Sequence, residues 1–281
     1  MKLSSPALFF VAFTLLSSCA SYRYIYSASP ANNPYFTQKG DSKLTGYYSS
    51  SYENQLGQYA AGVDLQAAYA ITNHWAVTVG YFNQREKDVN SYSTYDRPFD
   101  SSIVHYKRNL LDVGGGYFLP LNSSKTFILN LYSGMATGRF SFIDNGQSNA
   151  MDYERYHDSR ITKWYFQPSV NLIPGKYFRF SFILKASFVH YGDILTSYTP
   201  DEQKSLSLDR INNKTLGFTE SEINMQFGLP KYPWIKLDAG FSDASHQFPE
   251  DSRLSVRSRN VSIGFTFNVS RLSRNHLTEG R

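Results

Sequence analysis

Segments in which every second residue is apolar return repeatedly along this 281-residue chain, and the stretches between them alternate between short and long. The clearest is residues 61–71, where Val63, Leu65, Ala67, Tyr69 and Ile71 alternate with Asp64, Gln66, Ala68 and Ala70. Successive side chains of a β-strand point to opposite sides of its sheet, so a period of two predicts a strand with unlike faces. A Thr72-Asn73 turn leads to Trp75, Val77, Val79 and Tyr81 against Ala76, Thr78 and Gly80. The same hairpin recurs at 104–119 with 127–135, at 164–172 with 178–188, and at 223–229 with 235–241. The strongest alternation is the last, Val261, Ile263, Phe265, Phe267 and Val269 against Ser262, Gly264, Thr266 and Asn268. A weaker first strand at about 43–52 brings the expected number to ten.

Connection lengths sort by parity. Roughly two to six residues join the strands at Thr72-Asn73, PLNSSK, IPGK and PKYP, whereas about 87–103, 143–158, 192–215 and 243–256 are long and polar. If the strands run up and down, every short turn falls at one end and every long loop at the other, the arrangement of bacterial outer-membrane barrels with short periplasmic turns. The faces agree. A soluble sheet turns its apolar face inward and leaves charge outside, but here one face is large and aromatic while the other is Gly, Ser, Thr, Asn, Gln and a few charges. Tyr69, Trp75, Tyr81, Tyr117, Trp164, Tyr177, Tyr191, Trp234 and Phe241 lie near strand ends, as interfacial girdles require. The expected fold is an all-β, antiparallel up-and-down transmembrane β-barrel of about ten strands. The alternative is a soluble up-and-down barrel of lipocalin type.

Composition narrows the classes. Aromatics at 16% with charge at 18% exclude a disordered chain. No run of roughly 20 apolar residues follows the first sixteen positions, which excludes a helical membrane protein. The formal charge of +5 is spread rather than blocked, so no nucleic-acid partner is expected.

Met1-Lys2 and the apolar run 6–16 (PALFFVAFTLL) have the form of a signal peptide. Leu16-Ser17-Ser18-Cys19 follows at once and resembles the lipobox of bacterial lipoproteins, which implies cleavage after residue 18 and a covalent lipid on Cys19, the chain's one cysteine. The expected organisation is a lipoprotein signal peptide at 1–18, a lipidated linker at 19–42, the barrel at 43–269 and a tail at 270–281.

With AYAITNHWAVTVGYF (68–82) and the final SIGFTFNV (262–269), the chain resembles the small outer-membrane β-barrel proteins of Bacteroidota type, many of them lipoproteins. The resemblance covers most of 43–269 as a pattern and implies a fold rather than an activity. It departs at the end: such barrels often finish on a terminal aromatic, whereas this chain continues as SRLSRNHLTEGR. Phe265 and Phe267 remain as candidates for an assembly signal.

Ten strands enclose an interior wide enough mainly for side chains, so a general porin is not expected. The alternation points Asp64, Asp112, Glu222 and Asp238 inward together with Lys163, Arg179, Lys185 and Lys236. A balanced set of this kind predicts an ion-pair network that closes the lumen, since a transport ring favours one sign. Omptin-class surface proteases share the ten-stranded barrel and use Asp and His at the rim. His157-Asp158, Asp193, Asp243 and His246 supply those residue types, but no omptin motif matches and no catalytic residue is assigned. No metal-ligand spacing is present, and no cofactor beyond the lipid is expected. The Tyr-rich stretches SYSTYDRPF (91–99) and DYERYH (152–157) suit contact surfaces. The sequence thus predicts a non-enzymatic outer-membrane barrel, lipid-anchored, with both barrel termini periplasmic, a closed lumen, and a structural or accessory role that engages membrane lipid and a protein partner through its long loops. Passage or binding of a small hydrophobic molecule ranks second and a surface hydrolase third.

Overall fold

The computed structural model of the protein describes residues 23–51, 59–94, 97–148, 151–249 and 251–270. In chain order its strands are β1 (Arg23–Ser27), β2 (Ser42–Ser51), β3 (Tyr59–Ala70), β4 (Trp75–Thr94), β5 (Arg97–Pro120), β6 (Phe127–Ser148), β7 (Met151–Leu172), β8 (Phe178–Thr196), β9 (Thr215–Gly228), β10 (Ile235–Ser245), β11 (Leu254–Arg257) and β12 (Arg259–Phe267). One α-helix, α1 (Pro200–Ser205), lies between β8 and β9.

Ten strands, β2 to β10 and β12, each pair antiparallel with their neighbours, and β12 closes onto β2 from Val261↔Ser50 to Phe267↔Leu44. Closure leaves no strand edge unpaired, the condition for a sheet to cross a membrane. The band of the wall nearest the short turns is apolar on its outer side: Leu65, Val79, Val113, Met135, Phe166, Leu184, Met225 and Ile263 are all exposed. Trp75, Trp164, Tyr177 and Phe241 are exposed with them, so this is a transmembrane β-barrel with its large faces turned to lipid. Tyr191 is an exception to the expected girdle. It lies one residue out of phase with Phe188 and His190, points into the lumen and is fully buried.

Two of the long polar connections are largely strand. β4 and β5 stay paired out to Thr94↔Arg97, and β6 and β7 to Ser148↔Met151, which carries the wall well beyond the apolar band. Alternation continues through these extensions with its polarity exchanged: Val104, Tyr106, Phe140 and Phe142 turn inward and are buried, while His105, Lys107 and Arg139 turn outward. The other two long connections fold back over the opening. One holds α1, opened by a reciprocal capping box between Thr199 and Glu202. The other holds β11, which enters the lumen.

β11 does not pair with the wall. It forms a two-stranded parallel sheet with β1. The segment expected as a lipidated linker at 19–42 therefore runs inside the barrel from Arg23 onward. The chain enters at the long-loop end, descends the lumen and turns at Gly40 (φ 84°) into β2 at the short-turn end. That end also receives the last residues of β12, where the Asn268 amide donates to the Trp234 carbonyl at 2.8 Å. Cys19 and the signal segment lie outside the described residues, as does the tail beyond Ser270.

Candidate functional site: the occupied lumen

The internal segment has little regular structure of its own, so its backbone polar groups need partners from the wall. Wall side chains that the alternation turns inward supply them. The Tyr191 hydroxyl donates to the Ile25 carbonyl at 2.9 Å, Asn260 to Ala28 at 2.9 Å and Gln66 to Pro30 at 2.9 Å. Lower down, Gln167 donates to the Asn32 carbonyl at 3.3 Å and Asn171 to that of Pro34 at 3.2 Å. The Ala31 amide donates to Glu222 Oε2 at 2.8 Å. The Asn33 side chain is held by three wall residues: it donates to Asn171 Oδ1 at 2.7 Å and accepts from Asn130 at 3.0 Å and Ser169 at 2.8 Å.

Below this polar tier, Phe36 packs edge-on to Phe118, with rings 6.0 Å apart, in a cluster with Ala68, Ala70, Ala76, Ile128 and Tyr132. Asp41 then caps the turn, accepting the Thr37 amide at 2.9 Å. Above it, Ile25, Tyr26 and Ala28 join a larger cluster with Val104, Tyr106, Phe140, Phe142, Ile161, Val189, Tyr191 and Phe218. Tyr26 stacks on Phe218 at 4.0 Å between ring centroids.

Charge is concentrated at three places. Glu220 Oε1 accepts from Tyr26 OH at 2.6 Å, Ser187 at 2.8 Å and Lys163 at 3.2 Å, while Lys185 reaches Oε2 at 2.9 Å. Glu86 binds both Arg108 and Arg257, the latter at 2.7 Å, and Arg257 lies over the Tyr24 ring at 4.2 Å. Asp144 binds Arg23 and accepts from Tyr198 OH at 2.8 Å. Each carboxylate is buried with its cations, which offsets the cost of taking the charges out of water.

All eight charges expected in the lumen face inward, and all but the half-buried Asp112 are buried. They do not form one network of four acids with four bases. Lys163 and Lys185 meet through Glu220, which was not among the eight. Asp238 is held by neutral donors, Asn224 and Gln226 at 2.6 Å and Thr266 at 2.8 Å. Asp112 accepts from Tyr165 OH at 3.0 Å, Glu222 serves the internal segment, and Arg179 lies 5.4 Å from the Tyr35 ring centroid. Lys236 Nζ donates to the Lys176 carbonyl at 3.4 Å, and Asp64 borders the remaining cavity. Alternation could have found Glu220, since it continues the inward series Glu222, Asn224, Gln226 by one step. Asp144 sits in a stretch read as loop and Arg23 in one read as linker, while Glu86 and Arg108 flank the connection 87–103, Arg108 within the span 104–119 read as strand.

Between the internal segment and the wall there remains a cavity of about 40 Å³ bordered by Asp64, Asp112, Lys163, Tyr165 and Lys185. That is room for a few waters at most. Tyr165 reaches Asp112 across paired glycines: a Cβ on Gly114 or on Gly134 would come within 2.5 Å of its hydroxyl.

The rim residues weighed for hydrolysis are not brought together. His157 and Asp158 are consecutive on β7 and face opposite ways. His157 is buried and stacked on Phe142 at 5.1 Å, with no hydrogen bond to either ring nitrogen among the described residues, while Asp158 turns outward to Arg139 at 3.0 Å. Asp193 pairs with Arg160, and His246 packs on Phe248 and Phe218. Of the Tyr-rich stretches, Tyr156 is exposed and Tyr153 half-buried. The side chains of 91–99 lie outside the described residues.

No protein-family model matches the chain, and no curated protein matches it. Among solved structures it is similar to the translocator domain of the autotransporter NalP from Neisseria meningitidis, over 84% of this chain and 90% of that one, at 11% identity and TM-score 0.49. It is similar to the outer membrane protease OmpT from Escherichia coli over 84% and 99%, at 11% identity and TM-score 0.42. The outer membrane protein OprG from Pseudomonas aeruginosa is similar over 84% and 98%, at 12% identity and TM-score 0.32. Likenesses of this size carry no argument about what the chain does, and the barrel stands on its own strand pairing.

Proposed function

We propose that the protein is an outer-membrane barrel whose own N-terminal segment closes its lumen, and that it serves as a structural or accessory subunit at the cell surface, with short turns in the periplasm and the extended rim outside. One observation carries the reading: residues 23–37 occupy the lumen with their carbonyls and side chains bound by wall residues, and the cavity beside them at Asp64 and Lys185 measures about 40 Å³. A lumen so filled has no aqueous path, and what remains for interaction is the rim and the outer wall. A small hydrophobic molecule finds no space there without expulsion of the segment. Acylation of Cys19 belongs to the same reading.

Planar-bilayer recordings of the full chain should give no stable conductance, and removal of residues 23–37 should produce a steady pore. A large steady pore from the full chain overturns the closed lumen. Mild cross-linking in native membranes, followed by mass spectrometry of the copurified material, should return a partner at fixed stoichiometry. Its absence overturns the accessory role. Labelled palmitate should enter the chain and be lost in Cys19→Ala.

A further inference from the structure

Where the outer wall leaves the apolar band, four adjacent strands repeat one order of residues. On β4 the outward series is Tyr81, Asn83, Arg85; on β5 it is Leu111, Asn109, Lys107. β6 gives Met135, Thr137, Arg139, and β7 gives Trp164, Thr162, Arg160. An apolar side chain is followed by an amide or hydroxyl and then by a cation. Four residues separate the first from the last, which at ~3.3 Å per residue and a tilt of ~45° is about 9 Å of height. That carries the series from the hydrocarbon boundary through the headgroup layer, which is roughly 5–8 Å deep on each side.

The register sets the cations against one another. Arg85 lies directly opposite Lys107, and Arg139 directly opposite Arg160. Like charges directly opposite on one face of a sheet destabilise it unless something neutralises them. Asp158 engages Arg139 at 3.0 and 3.2 Å, and Asp193 reaches Arg160 at 3.4 Å, but these pairs are exposed and Arg139 and Arg160 remain 65% and 66% accessible. Two carboxylates against four cations leave the ridge positive. A recess of about 430 Å³ opens beside Arg139 and Arg160.

We propose that this ridge binds the headgroup of a bisphosphorylated glycolipid in the leaflet that surrounds the barrel, one phosphate at each cation pair. The pairs lie two strand spacings apart and two residues out of register, since Lys107 faces Ser141 and not Arg139, which makes about 12 Å, a separation that two sugars bearing terminal phosphates can bridge and a single phosphate cannot. Asn83, Asn109, Thr137 and Thr162 stand below the cations, where they can bond sugar hydroxyls. Arginine and lysine in this setting bind phosphate by charge-assisted hydrogen bonds. This inference shares the membrane position with the proposed function but not the closed lumen.

The test is native mass spectrometry of the detergent-purified full chain titrated with bisphosphorylated diglucosamine lipid, its fully dephosphorylated form, or phosphatidylglycerol. The bisphosphorylated lipid should bind at least tenfold tighter than either. The double variants Arg85→Gln/Lys107→Gln and Arg139→Gln/Arg160→Gln should each lose that preference, whereas Arg155→Gln, higher on the wall, should keep it. Equal binding of the dephosphorylated lipid, equal binding of phosphatidylglycerol, or unchanged binding by both double variants overturns the proposal. Heat-modifiable gel mobility reports whether each variant is folded, and the comparison of lipids on the unaltered chain decides the matter if the variants do not fold.

Discussion

The barrel is inside-out near its short turns and right-way-out near its rim, although the same strands build both halves. Within the apolar band, β5 and β6 show Leu111, Val113 and Met135 to the outside and keep Asp112 and Asn130 within. Four to eight residues further along, they show Lys107, His105 and Arg139 to the outside and bury Tyr106, Phe140 and Phe142. The reversal keeps the strand period and changes only which face is apolar, because the solvent outside changes from hydrocarbon to water. The interior follows with opposite chemistry: polar donors around the internal segment below, an aromatic core above.

The largest break in this contrast should come from Glu220→Ala, which strands Lys163 and Lys185 without their shared carboxylate in a buried tier and should cost about 3–5 kcal/mol. Urea unfolding of vesicle-inserted protein, followed by tryptophan fluorescence, measures it. Phe142→Ala in the upper core should cost a similar or slightly smaller amount, about 3–5 kcal/mol, as cavity creation does in a soluble protein. If that cost fell to the level of a surface change, the rim would not be packed as a core. Next in size, Val113→Arg should cost about 2–4 kcal/mol because it places charge in hydrocarbon. Ile143→Arg, exposed on the same outer surface above the band, should change stability by about 0.5 kcal/mol or less. Equal costs for these two arginines would place the membrane boundary elsewhere.

The smallest effect concerns the rim connections. Arg210 donates to Asp251 at 2.6 and 3.1 Å and holds its carboxyl below the usual carboxylate range. A lowered folded pKa means that the pair stabilises the rim above about pH 4, the unfolded value, and that this contribution is lost as pH falls through the lowered one. Hydrogen exchange in the Leu208–Arg210 turn should accelerate slightly at acid pH, and Arg210→Ala should abolish that increment.

The transmembrane half was legible in the sequence because one rule, large apolar residues at every second position, held over each span from Val63 to Tyr69 or Val261 to Phe267. The rim was not, for the same reason: once Arg139 follows Met135 on the outer face, a search for an apolar exterior loses the strand although the alternation persists. The internal segment was hidden differently. Pro30 and Pro34 break any period, and nothing local distinguishes SYRYIYSASPANNPYF from a tether, since its partners are remote wall residues such as Glu220 and Asn260. The donor-rich inner face, with Asn130, Gln167, Asn171 and Asn224, was the available signal that something other than side chains of like kind fills the lumen. Glu220 was missed because the inward series was begun two residues late.

The route of the N-terminal segment sets an order on assembly. Residues 24–36 bond to wall strands from β2 round to β9 and to Asn260 on the final strand, 232 positions from Ala28. Contacts of such separation form late, yet the seam between β12 and β2 cannot shut first, because a closed cylinder would have to be threaded from its crowded end. The segment must be laid against the open sheet and the last strand zipped around it. A bulky domain fused ahead of Arg23 would then have to reach the rim side before the seam shuts, so the length and compactness of such a fusion should decide whether the chain matures at all.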